Sequence, residues 1–216
     1  NLELLELPGK RKHLELPANF IKLGRIHYSG KYTGYPDDFV AYGKFITNLG
    51  ELNSDILLKP DGLNTVRFEG KLKTVDFRLG EFLDLGERMG KISMTGNLEG
   101  YVSSGSLYAD IESTIDSFEV FGYNYQNIIV SGTLTERNFL GSFAVSDPNI
   151  NLEFSGKADF SGEHPEFAFT ADVSRARPYY LKIDRSDPSY FASFLLKTNF
   201  TGNKPGNRLS RRLYFP

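Results

Sequence analysis

From about residue 21 onward apolar and polar side chains alternate with a period of two, the spacing of a β-strand with one dry and one wet face. In "DFVAYGKFIT" the residues Phe39, Ala41, Gly43 and Phe45 share one face, and Val40, Tyr42, Lys44 and Ile46 take the other. In "NTVRFEGKLKT" Val66, Phe68, Gly70 and Leu72 oppose Arg67, Glu69, Lys71 and Lys73. The pattern returns with Ile92, Met94, Gly96 and Leu98, and again with Ile128, Val130, Gly132 and Leu134. It continues through Phe139, Gly141, Phe143 and Val145, through Ile150, Leu152, Phe154, Gly156, Ala158 and Phe160, and through Phe167, Phe169, Ala171 and Val173. None of these inward rows contains a charge. Such a succession predicts an antiparallel sheet with a single dry face rather than a parallel sheet covered on both.

The stretches "KPDGLN", "YVSSGS", "VSDPN" and "DFSGEHPE" carry the Asp-Gly, Asp-Pro and Ser-Gly punctuation of hairpins and short loops. One segment breaks the rhythm. "FRLGEFLDLGERMGK" spaces Phe77, Leu79, Phe82, Leu83 and Leu85 irregularly, with acidic residues early, and predicts a short helix near 79–86 that caps one edge or end of the sheet. The ends differ in character. Two Leu-Glu-Leu-Pro phrases, Leu5–Pro8 and Leu14–Pro17, suit an edge or linker segment over 1–20, and residues 203–216 read as a loose basic tail.

Glycine recurs inside the dry rows, at Gly43, Gly70, Gly96, Gly132, Gly141 and Gly156. Glycine weakens a strand because it adds backbone entropy and has no side chain to pack. Two readings are open. The glycines permit bends, bulges or room for a large ring from a facing sheet, or they hollow a curved sheet into a trough able to hold acyl chains.

Composition narrows the class of function. The 216 residues carry a net charge of -2 and are 40% hydrophobic, which gives no general signal for nucleic acid. The absence of cysteine excludes thiol catalysis, zinc–thiolate sites and disulfides, and suits the cytosol or a disulfide-free periplasmic protein. Eighteen Phe and twelve Tyr with no Trp favour strands. No apolar run approaches the roughly 18 residues of a membrane helix, so these residues read as soluble. The chain starts at Asn1, which makes a fragment of a longer protein the simpler reading.

Candidate chemistry is sparse. His13, His27 and His164 have no partner at a metal-ligand spacing, and the acidic turns Pro36–Asp38 and Asp147–Asn149 do not continue into a calcium loop. No nucleophile elbow, phosphate loop or dinucleotide fingerprint is present. The expectation is a non-enzyme without cofactor or metal.

The order of phrases adds more than any of these patterns. "GKFITNLGELNSDILLK", "FEGKLKTVDFRLGEFL", "GYNYQNIIVSGTL", "NFLGSFAVSDPNINLEFSGKADFS" and "PEFAFTADVSRA" resemble, in this order, the translocation and assembly module TamB family of Bacteroidetes-type Gram-negative bacteria, in the AsmA-like group. The resemblance covers about residues 20 to 202, and its most specific phrases are "TNLGELNSD", "GYNYQNI" and "VSDPNINLEFSGKADFS". The chain departs from the pattern after "VSRA", where "RPYYLKI" replaces an aspartate-leucine phrase.

The resemblance implies a β-taco, a folded-over antiparallel sheet around an apolar groove, over residues 21–202. It implies a place in the periplasm, with the parent protein held in the inner membrane by a helix outside these residues. It also implies a role in outer-membrane biogenesis, either as a phospholipid conduit or as a partner of a barrel-type outer-membrane assembly protein of the TamA/BamA kind. With it, the trough becomes the preferred reading of the glycines. The expected lining is Phe68, Leu72, Met94, Leu98, Val130, Leu134, Phe143, Leu152, Phe154, Phe167 and Phe169. Two rivals are a scaffold that assembles or translocates barrel and autotransporter proteins by strand addition, and a plain β-sandwich with a filled core.

Overall fold

The computed structural model describes residues 18–201 apart from 36, 37, 63, 87, 104, 105, 136 and 160. The two Leu-Glu-Leu-Pro phrases, His13 and the basic tail lie outside the described residues. A 3-10 turn, Ala18–Leu23, leads into eleven strands. These are β1 His27–Tyr35, β2 Asp38–Thr47, β3 Gly50–Pro60, β4 Thr65–Arg78, β5 Met89–Ser103, β6 Ser106–Val120, β7 Tyr123–Thr135, β8 Asn138–Asp147, β9 Ile150–Asp159, β10 Glu166–Ala176 and β11 Ala192–Thr201. Each pairs antiparallel with the next, giving one open sheet in simple sequence order. The fold is all-β, an elongated curved meander with a single short helix, α1 Leu79–Phe82, between β4 and β5. The helix is shorter than the pattern suggested. After Phe82 the backbone continues in turns instead, with Leu85 N donating to Gly80 O at 2.7 Å and Met89 N to Leu85 O at 2.8 Å.

The registers place the dry positions in rows that run across the strands. One row joins Phe68, Gly100, Ala109, Leu134, Phe139, Ala158 and Phe167. The next joins Gly70, Leu98, Ile111, Gly132, Gly141, Gly156, Phe169 and Thr198. A third contains Leu72, Gly96, Ser113, Val130, Phe143, Phe154, Ala171 and Leu196, and a fourth Thr74, Met94, Ile115, Ile128, Val145, Leu152, Val173 and Phe194. No residue of these four rows is charged.

Beyond the fourth row the period changes from two to three in four strands at one level. Thr74 is followed on the dry face by Phe77, Ile115 by Phe118, Ile128 is preceded by Tyr125, and Val173 is followed by Ala176. Each step inserts one residue, which is what a β-bulge does, and bulges bend a strand. Asp76 and Asn127, inside two of these steps, have φ of 47° and 52°. The bulges stand at one level across these strands, and the core follows that line. Phe77, Ile92, Ile115, Ile128, Val145 and Val173 are all buried. The 3-10 turn, α1 and the loop 177–191 close this end of the sheet, contributing Leu23 and Leu181, the latter only 2% exposed. Lys22 fixes the 3-10 turn to α1, with its Nζ donating to Phe82 O at 3.1 Å and pairing with Asp84.

Candidate functional site

Away from the bulge line the dry face is only half covered. All eleven expected lining residues, from Phe68 to Phe169, fall on the four uncharged rows, and every one is half-buried. Among the described residues no second sheet lies over them, no large side chain is completely buried, and the strands make neighbour-to-neighbour pairs alone. This departs from a filled sandwich, in which such rings are interior. The four rows run side by side from the buried bulge line through the glycine row to Phe68, Leu134 and Phe167.

Aromatic rings form the continuous part of the lining. Phe143 on β8 stacks on Phe154 of β9 with ring centroids 4.5 Å apart and planes 15° from parallel, and Phe154 meets Phe169 of β10 at 5.1 Å. Phe143 and Phe154 are direct cross-strand partners, and Phe169, which lies opposite Gly156, is the diagonal neighbour of Phe154 on the next strand.

The six groove glycines lie on this face, yet none opens an empty space. A Cβ on Gly141 would stand 2.7 Å from Gly132 Cα and 2.8 Å from the Phe139 ring, and one on Gly132 would stand 2.9 Å from that ring. A Cβ on Gly156 would run into Phe169, one on Gly43 into the Tyr28 ring, one on Gly96 into Ser113 at 2.6 Å, and one on Gly70 into Asp55 O. The glycines therefore let neighbouring strands approach and let rings lie flat on the backbone. The glycines do not hollow the face, and among the described residues no second sheet lies over it. Gly70 also adopts φ 149°, a backbone conformation that favours glycine.

Just past the bulge line an aspartate stands on the dry side. Asp147, 3% exposed, ends β8 opposite Ile150 of β9, and both its carboxylate oxygens are bonded. Its Oδ1 accepts from Tyr123 Oη at 2.6 Å and from Asn149 N at 2.8 Å, and its Oδ2 accepts from Gln126 N at 3.0 Å. Asn149 Nδ2 donates to Tyr123 Oη at 3.0 Å. Burial, and then the bond to Asp147, pushes the Tyr123 hydroxyl above its ordinary value, and burial does the same to Tyr125. This knot ties together "GYNYQNI" and "VSDPN", two separate stretches of chain, and locks the β7–β8–β9 end of the floor.

Sequence reasoning read Asp147 only as a turn residue and did not place Tyr125, Phe118 or Ile115 in the lining. The signal was there in the spacing of three that interrupts each alternation.

The opposite face is charged. Glu69, Glu99 and Asp110 are successive cross-strand partners beside a shallow depression of about 570 Å³ that Asp55, Lys71 and Glu112 complete. The two oxygens of Asp110 are taken by Thr133 Oγ1 at 2.6 Å and Tyr108 Oη at 3.0 Å. His27 and His164 are exposed and far apart in the meander, and among the described residues no cluster of His, Asp or Glu has the arrangement of a metal site. No helix among the described residues is long and apolar enough to cross a membrane.

Comparison of the chain with family models, with curated proteins and with solved structures gives no match.

Proposed function

We propose that the chain is a non-enzymatic segment of a periplasmic lipid carrier, in which the trough shields phospholipid acyl chains on their way between inner and outer membranes. The observation that carries this reading is a wide, uncharged, half-buried face with no second sheet over it among the described residues, backed by a charged face turned to water. Apolar surface of this extent on one side of a soluble sheet calls for an apolar occupant. An acyl chain suits it because each methylene removed from water contributes about 0.8 kcal/mol and the attraction has no preferred direction. A chain held this way slides along the rows, while a charged head group stays outside the lip. The phrase-level resemblance to the TamB family supports the same role, with the parent protein anchored in the inner membrane.

A second reading rests on the two edges. Among the described residues β1 pairs only with β2 and β11 only with β10, so both edges offer backbone groups to an added strand. A scaffold that assembles barrel or autotransporter proteins, working beside a TamA/BamA-like partner, would use those edges and not the trough.

Native mass spectrometry with lipid extraction of the protein purified from bacteria separates the two. Co-purifying phospholipid that disappears in Phe154→Asp, with the circular-dichroism spectrum unchanged, supports the carrier. A folded protein free of lipid both before and after incubation with phospholipid vesicles overturns it and leaves the scaffold.

A further inference from the structure

The end of the sheet closed by the 3-10 turn, α1 and the loop 177–191 presents apolar side chains to water. In a meander every second connection falls at the same end, so the segments 18–26, 79–88, 121–122 and 177–191 share one rim. Among the described residues, every large apolar side chain that is exposed outside the strands stands on this rim. Ile21 is 73% exposed, Phe121 69% and Ile183 72%, and Leu83, Tyr190 and Phe191 are exposed on the same segments. Hydrogen bonds tie the segments to one another. Lys22 Nζ donates to Phe82 O at 3.1 Å, Phe121 N to Arg88 O at 2.8 Å, and Lys182 Nζ to Gly122 O. The tips are held in place and left in water.

Phe121 is also held against its own backbone preference. Val120 pairs with Tyr123, so Phe121 and Gly122 form a two-residue hairpin turn, with φ of 48° and 75°. Two positive φ values mark the turn that favours Asn-Gly or Asp-Gly, and a bulky residue at its first position is an outlier. Strain and an exposed ring at one residue both cost the fold, and such outliers persist where a site uses them.

We propose that this rim is a membrane-contacting surface and that Phe121 is its apex, inserting its ring below the head groups of a phospholipid bilayer. The contact goes beyond the carriage of lipid in the trough and does not require a loaded trough. A bilayer suits the rim because the apolar side chains come from four separate segments and stand beside cations or tyrosine: Ile21 by Lys22, Ile183 by Lys182, Phe191 by Tyr190. Such pairs put the apolar body in hydrocarbon and the polar end at the head groups. The described acids of the rim are engaged within the protein. Asp84 pairs with Lys22 and Glu81 with Arg78 at 3.1 Å, while Asp184 and Asp187 accept from the amides of Ser186 and Ser189 at 2.9 and 2.8 Å. Cations and acids nearly balance along these segments, so the contact rests on insertion and needs no anionic lipid.

The test uses the 216-residue chain and vesicles of phosphatidylcholine. The chain has no tryptophan, so Phe121→Trp introduces a single reporter at the apex, and His164→Trp places one in an exposed turn at the opposite end. With vesicles, the emission of Phe121→Trp is expected to shift to the blue and to be quenched by bromine carried on the acyl chains, and that of His164→Trp to stay unchanged. Phe121→Asn suits a positive φ and lacks the ring. It is expected to hold or raise the melting temperature and to weaken flotation with the vesicles about tenfold, the effect of one large apolar side chain. A native protein that does not float, equal flotation of Phe121→Asn, or emission from position 121 that does not respond, or responds no more than that from position 164, overturns the membrane rim and leaves the tips to a protein partner. The trough stands or falls separately, on lipid that stays with the protein after vesicles are removed.

Discussion

Phe143 and Phe154 stack across β8 and β9, their centroids 4.5 Å apart, on a face that no second sheet covers among the described residues. Two rings in that position gain from each other what an interior would otherwise provide. Offset stacking of aromatic pairs contributes beyond the area they bury. Because Phe154 is only half-buried, Phe154→Ala is expected to cost about 2 kcal/mol, below the range for a fully buried phenylalanine. In a double-mutant cycle with Phe143→Ala, followed by urea unfolding, the coupling is expected at about 1 kcal/mol. Strict additivity of the two single changes would mean that the rings are neighbours without being partners.

The knot around Asp147 has a different character, because it is buried and satisfied. Asp147→Ala strands the Tyr123 hydroxyl and the amides of Gln126 and Asn149, and is expected to cost about 3 kcal/mol in denaturant unfolding, well above Asp147→Asn.

The same knot predicts a response to alkali. The Tyr123 hydroxyl is held above its ordinary value of 10.0, first by burial and next by Asp147. A raised folded value means that the fold prefers the neutral phenol, so its contribution is complete below the unfolded value and is lost as pH rises through the folded one. Unfolding midpoints measured from about pH 8 to about pH 12 should fall at the top of that range. The fall should be shallower in Tyr123→Phe, with the remainder owed to Tyr125, which shifts in the same direction. An identical pH profile in the variant would show that Tyr123 ionises as freely folded as unfolded.

Most of the sheet was legible in the sequence because alternation at period two is a direct image of a one-sided strand. Phe68, Gly70 and Leu72 announced β4, and Phe167, Phe169 and Ala171 announced β10, on the faces they occupy. What the alternation could not convey is a phase change. At Asp76, Asp116, Asn127 and Ser174 the dry face passes to residues of the other parity, so Phe77, Phe118 and Tyr125 fall outside any list built by counting in twos. The glycines were legible as positions and not as causes, since the ring that covers Gly132 and Gly141 comes from Phe139, and a register is needed to bring it there. The half-covered state of the rows is a property of the assembled sheet, and no local stretch encodes it.

The glycine row can be tested by adding one carbon. In Gly141→Ala the new Cβ would stand 2.5 Å from Ser131 O and 2.7 Å from Gly132 Cα, both backbone atoms that move only if the β7–β8 pairing opens. A loss of about 2 kcal/mol is expected, in the range of overpacking. Gly86→Ala serves as the control, since its Cβ would meet nothing within 4 Å. Thermal unfolding of the two variants side by side decides between close strand approach and an open floor. If Gly141→Ala is as stable as Gly86→Ala, the floor has room that the strand spacing denies.

The bulge line makes the last prediction, because Asn127, like Asp76, holds a left-handed backbone on it without being glycine. Asn127 holds φ 52°, and its Nδ2 donates to Ser146 O at 3.3 Å across the β7–β8 pair. Left-handed backbone costs a residue with a Cβ roughly 1–2 kcal/mol, asparagine less than most, and a branched side chain the most. Asn127→Gly should therefore be close to neutral, gaining in backbone ease what it loses in the side-chain bond. Asn127→Val should lose about 2 kcal/mol in denaturant unfolding. The sharper outcome concerns the floor itself. A β7 that relieves its strain by straightening would return Tyr125 to the parity of the wet face, since a one-residue slip exchanges the two faces of a strand. Tyr125 would then become accessible and titrate as an ordinary tyrosine. Absorbance titration of Asn127→Val that shows one more freely ionising tyrosine than the native protein would tie the fold of the trough to this bulge. A destabilised variant with an unchanged titration would confine the strain to the backbone of Asn127.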